Sequence, residues 1–102
     1  MSMLHTVNKS PFERNALESC IRLAKAGSAI LLTEDGVVGA MKNTNYSKTI
    51  SDAMSNIKFY VLGPDLKARG LSEDNIVDGI TVVDYAGFVD LTTEHDTVQS
   101  WL

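Results

Sequence analysis

The sequence predicts an α/β fold: a small three-layer sandwich in which helices flank a mainly parallel sheet. Three observations predict it. Short runs of β-forming residues alternate with amphipathic helical stretches, the pattern of βαβ units. One run, "SAILL", is apolar without alternation, as expected of a strand covered on both faces. No linker, repeat or low-complexity tract divides the 102 residues, which read as one domain over 1–102.

The elements follow in order. "MLHTVN" is the first strand, with Leu4 and Val7 among its β-formers. In "SPFE", Ser10, Pro11 and Glu13 have the spacing of a capping box, which predicts a helix starting there. That helix runs through "FERNALESCIRLAKA", with Leu17, Cys20, Ile21 and Ala24 on one stripe, and Gly27 ends it. "SAILLTE" is the buried second strand, broken by Asp35 and Gly36, and "VVGAMKN" then makes a helical turn, since a parallel sheet needs a crossover here. In "SKTISDAMSNI", Ile50, Ala53, Met54 and Ile57 form an amphipathic stripe. "KFYVLG" is the third strand, stopped by Gly63 and Pro64. "DLKARG" is a short helix closed by Gly70, and "SEDNIVDG" is a polar connection with a further turn. "ITVVDY" is the fourth strand, and "AGFVDLTTEH" a last helix with Phe88, Val89 and Thr92 turned inward. The tail "DTVQSWL" carries the sole tryptophan, Trp101, which either pins the tail to its own domain or reaches a partner. Ligands of such folds gather at the carboxyl ends of the strands, here "NKSP", "TEDG", "LGPD" and "DYAG".

Composition narrows the function. A net charge of −4, with the cations scattered among acids, argues against direct nucleic-acid binding, because neutralising phosphates takes clustered Lys and Arg. No apolar run is long enough for a membrane span, and "MSMLHTVNKS" lacks the features of a secretory signal. A single cysteine makes no internal disulfide, and no Cys/His cluster offers a metal site. The chain is therefore expected in the cytoplasm with a reduced thiol and no cofactor. Neither a glycine fingerprint after the first strand nor a P-loop is present, so a nucleotide site is not expected. His5 lies within a strand, and His95 is placed to meet helix carbonyls. Glu34 and Asp35 stand at a strand end, where a solvated Asp-Gly turn accounts for them.

Cys20 is the one candidate nucleophile. A sulfur carrier needs a single thiolate with a lowered pKa, from a helix start or nearby cations. Cys20 lies well inside its helix, Arg22 and Lys25 are not at i+3 or i+4, and its stripe is apolar. A buried packing role is the plainer reading.

The segments "LHTVNKSP", "GPDLKARG" and "VDYAGFVDL", together with "LLTEDGV" and the final "DTVQSWL", resemble the DsrH/TusB family across essentially the whole chain. The wording of the final segment and the presence of Cys20 are closer to the DsrH branch. The resemblance implies a subunit of a cytoplasmic heterohexameric sulfurtransferase complex, with two copies each of DsrE/TusD-like, DsrF/TusC-like and DsrH/TusB-like chains. It implies a TusA-like sulfur donor and a DsrC/TusE-like acceptor. The expected role is in intracellular sulfur oxidation; the alternatives are the TusB role in 2-thiolation of the tRNA wobble uridine, or a sulfurtransferase that uses Cys20 itself. In DsrE/TusD-like subunits the sulfur-bearing cysteine follows the third strand, ahead of a helix ending in Arg-Gly. Aligned on Arg69 and Gly70, that position falls at or near Leu62, where no thiol stands. The resemblance thus implies that this chain is not the main catalytic subunit, with Cys20 left as a candidate auxiliary persulfide site.

Overall fold

The structure, a computed structural model, describes residues 3–101; Met1, Ser2 and Leu102 lie outside the described residues. Five strands form a parallel sheet: β1 (Met3–Val7), β2 (Ala29–Leu32), β3 (Lys58–Leu62), β4 (Thr81–Val83) and β5 (Thr97–Trp101), in the order β4-β3-β2-β1-β5. Four α-helices, α1 (Ala16–Leu23), α2 (Ser47–Ala53), α3 (Gly63–Ala68) and α4 (Tyr85–Glu94), and two 3₁₀ helices, Glu34–Ala40 and Glu73–Asn75, connect them.

Alternation along the strands sorts side chains into two cores. On one face Val7, Ile30, Leu32, Phe59 and Val61 pack with Leu17 and Cys20 of α1, Ile50 of α2 and Leu66 of α3. On the other, Leu4, Ala29 and Leu31 pack with Leu91 of α4 and the half-buried Phe88. The predicted three layers are present, and all four residues of β2 are buried because both faces are covered.

Three local expectations are corrected. The capping box does not form. The Ser10 hydroxyl accepts from the Phe12 N–H (3.2 Å), two residues on, and the chain makes one turn before α1 begins at Ala16. Tertiary contacts hold that turn: the Tyr46 hydroxyl donates to the Pro11 carbonyl (3.0 Å), and Phe12 packs edge-on against Tyr46. Gly27 does not cap α1, which ends at Leu23. It sits with φ +89° in the turn leading to β2, its N–H donating to the Asn56 carbonyl. In α4 the buried residue is Leu91, with Phe88 half-buried; Val89 is exposed and Thr92 only half-buried, so the inward stripe is one position out of phase with that expected.

The tail supplies a larger difference, a fifth strand where four were expected. β5 pairs parallel with β1 from Met3↔Thr97 to Val7↔Trp101. Its residues are exposed except for the half-buried Trp101, so no hydrophobic alternation marks it. The Trp101 indole N–H donates to His5 Nδ1 at 3.0 Å, fixing the tail to its own chain.

Candidate functional site

The connections decide where a site belongs. α3 leaves the carboxyl end of β3 toward one face of the sheet, and α4 leaves the adjacent β4 toward the other. Neighbouring loops that part to opposite faces open a crevice, the usual ligand position in doubly wound sheets. Here the crevice has a volume of about 770 Å³ and is lined by Gly63 and Pro64 of α3, Val82 and Val83 of β4, and Asp84 and Gly87 at the start of α4. Both glycines have a packing reason. A Cβ at Gly63 would lie 3.0 Å from Val82 Cγ1, and one at Gly87 would lie 2.9 Å from Val83 Cβ. Asp84 caps α4, its carboxylate accepting from the Gly87 N–H at 2.8 Å. Lys67 and Glu73 complete the rim.

Leu62, the position implied for a sulfur-bearing thiol, ends β3 beside this crevice. Its side chain is buried and contributes to a second cleft of about 350 Å³, shared with Thr6, Asn8, Tyr85 and Ser100. The crevice wall itself has no thiol or imidazole, and its ionisable groups are Lys67, Glu73 and Asp84. Among the described residues, no group of His, Cys, Asp and Glu side chains is placed to hold a metal.

Cys20 lies elsewhere, fully buried in the α1 core among apolar neighbours. Burial pushes its thiol up to about 12, since a thiolate there would lose its hydration without gaining a compensating charge. The stripe read from the sequence therefore lies inward, and Leu62 and Cys20 are not brought into one site.

The remaining candidates have structural partners. His95 Nδ1–H donates to the Leu91 carbonyl at 2.8 Å, satisfying the end of α4 as expected. His5 is buried, accepts the Trp101 indole N–H through Nδ1, and has an unpartnered Nε2. Burial holds its imidazole below the ordinary value. Glu34 and Asp35 are less free than a solvated turn implies. Glu34 adopts φ +49°, a left-handed conformation that strains a non-glycine residue. Its N–H donates to Asp65 Oδ2 at 2.6 Å, while Arg69 donates to Asp35 Oδ1 from Nε (3.1 Å) and Nη2 (3.0 Å). Asp65 and Arg69 of "PDLKARG" thus clamp the loop after β2 onto α3. The i, i+4 spacing of Asp65 and Arg69 on a short helix was visible in the sequence; their partners, some thirty residues earlier, were not.

A doubly wound parallel sheet, with a crevice lined without a thiol and its one thiol in the core, defines a small α/β protein. The chain belongs to the DsrH-like family, whose model, described as "DsrH like protein", matches residues 9–98. It is similar to Protein TusB of Shigella flexneri and of Escherichia coli strain K12, each 37% identical over 99 residues, and to Protein TusB of Pectobacterium parmentieri at 35%. Each alignment covers 97% of this chain and 100% of the relative. Among solved structures, the ychN protein from E. coli superposes with a TM-score of 0.81 at 16% identity, covering 99% of this chain and 100% of its own, a likeness of fold alone. Protein Tm0979 from Thermotoga maritima superposes with a TM-score of 0.65 at 26% identity, covering 92% and 93%.

Proposed function

We propose that this chain is a subunit of a cytoplasmic sulfur-relay complex in which the persulfide is carried by a partner subunit. The end of β3 supports this reading most. The position that the family resemblance implies for the thiol of DsrE/TusD-like chains falls at or near the buried Leu62, which is followed by Gly63 and Pro64. In a relay step, an acceptor thiolate attacks the terminal sulfur of a persulfide, the S–S bond breaks, and the donor thiolate leaves. Leucine has no sulfur to accept or release. A thiol held near pKa 12 in a core is neither a nucleophile at neutral pH nor reachable by a donor protein. The auxiliary role expected for Cys20 would need α1 to open first, so we assign that residue to packing. The proposed assembly has two copies each of this chain and its DsrE/TusD-like and DsrF/TusC-like sisters, taking sulfur from a TusA-like donor and passing it to a DsrC/TusE-like acceptor. No helix among the described residues is long and apolar enough to cross a membrane.

Of the two pathways, the names of the curated relatives favour 2-thiolation of the tRNA wobble uridine. The presence of Cys20 and the wording of the final segment are what favour sulfur oxidation. Deleting the gene in its host and measuring 2-thiouridine in hydrolysed tRNA tests the choice. Loss of the modified base is expected; an unchanged level would return the reading to sulfur oxidation. The subunit reading itself is tested by co-expression with the host's sister chains. Stable co-purification is the expected result, and a chain that remains alone would contradict it.

A further inference from the structure

We infer that the outer face of α4 and the adjoining β5 edge form the surface through which this chain docks a sister subunit, and that the docking face of that subunit has an apolar centre ringed by Lys and Arg. The inference rests on the reading of the chain as a relay-complex subunit and specifies which face is used and what it recognises.

Three observations carry it. First, apolar surface is left uncovered here: of the exposed large hydrophobics among the described residues, Tyr85, Val89 and Val98 gather on this side, while Phe12 and Leu23 stand elsewhere. Among the described residues α4 is the one helix on its face of the sheet, and it turns Leu91 and Phe88 inward while Tyr85 and Val89, one turn apart, remain 60% exposed. Val98 of β5 pairs with Leu4, so its side chain lies on the same face, and it is 43% exposed. The cleft shared by Tyr85, Phe88, Thr6 and Ser100 joins helix to edge, making one continuous surface.

Second, β5 is an edge strand without the usual protection. It is five residues long and has no charged residue and no proline, the devices that keep an edge from pairing or aggregating. The opposite edge, β4, is shortened to three residues. An open edge flanked by exposed apolar side chains is what a partner covers.

Third, the charge is one-sided. Arg69 is the last cation in the chain; seven acids and no Lys or Arg follow it. Asp84, which caps α4, and Asp90 and Glu94 within it are exposed, and no salt bridge to them occurs among the described residues. A second copy docked here by a two-fold axis would set acids against acids, and nucleic acid would be repelled by the same field. A cationic protein face is the complementary occupant.

The test measures the affinity of the full chain for the preformed pair of sister subunits. Val89→Lys and Tyr85→Lys should each weaken binding by about 30-fold or more, as truncated hot spots do. Asp90→Lys should weaken it less and flatten its dependence on salt. Ser51→Lys, at an exposed site of α2 on the opposite face of the sheet, should bind as wild type. Thermal melting of each free variant checks folding; should Val89→Lys melt early, Asp90→Lys, at an exposed position, carries the same test. Wild-type affinity in the α4 variants overturns the inference and leaves the relay reading standing. So does a self-dimer of the free chain that Val89→Lys dissociates. A wild-type chain that binds neither sister subunit overturns the relay reading, and the docking surface with it.

Discussion

Cys20 shows how much one residue's surroundings decide. The same thiol at a helix start would be a candidate carrier; on the inner stripe of α1 it is a small apolar side chain with a pKa near 12. Alkylation of the native chain at pH 8 should therefore be slow and should become fast once urea unfolds it; a fast native reaction would contradict the burial described. The inward stripe was readable from the spacing of Leu17, Cys20, Ile21 and Ala24. The contact between His5 and Trp101 was not, because it joins residues 96 apart and exists only once β5 pairs with β1. The burial of His5 has a pH signature. The His5 imidazole is held below 6.5 in the folded chain, so above 6.5 both states are neutral and its contribution is fully present. As pH falls through 6.5 the unfolded chain takes the proton first, and stability is lost until the folded-state pKa is passed. The urea midpoint should fall between pH 7 and 5 more steeply in wild type than in His5→Gln. Equal slopes would show that His5 is not the group responsible.

At the scale of elements, local signals were right wherever tertiary contacts agreed with them. "SAILL" became a strand buried on both faces, and "DLKARG" a helix turn closed at Gly70 with φ +68°. The capping box was overruled because Tyr46 holds Pro11 and Phe12 in a turn of their own. β5 went unseen because an exposed edge strand has no buried face to impose a period on its sequence. The loop after β2 shows a constraint of a different kind: Gly36 lies so close to β1 that a Cβ would fall on the Val7 carbonyl oxygen. Gly36→Ala must push the 3₁₀ helix off the sheet and should destabilise the fold by about 3 kcal/mol, read from its urea midpoint. The neighbouring clamp is milder. Asp65→Ala removes the acceptor for the Glu34 N–H and should cost about 1 kcal/mol. A neutral result would mean that solvent replaces that hydrogen bond without loss.

For the whole molecule, the alternation of strand and helix was enough to predict the layers, and the parting of α3 and α4 locates the crevice. The absence of a thiol around Leu62, which ends β3 beside that crevice, was legible as well. The acidic and apolar face on α4 and β5 was less so, because it depends on which helix covers which side of the sheet. Together these features support the proposed reading, in which this chain contributes surface and architecture to a relay whose covalent step occurs on another subunit. The most direct test is to assemble the complex with its sister subunits, load it from a persulfide donor, and weigh each intact chain by mass spectrometry. The extra sulfur should appear on a sister subunit and be absent from this chain, with loading unchanged by Cys20→Ser. Extra sulfur on this chain that disappears in Cys20→Ser would contradict the account.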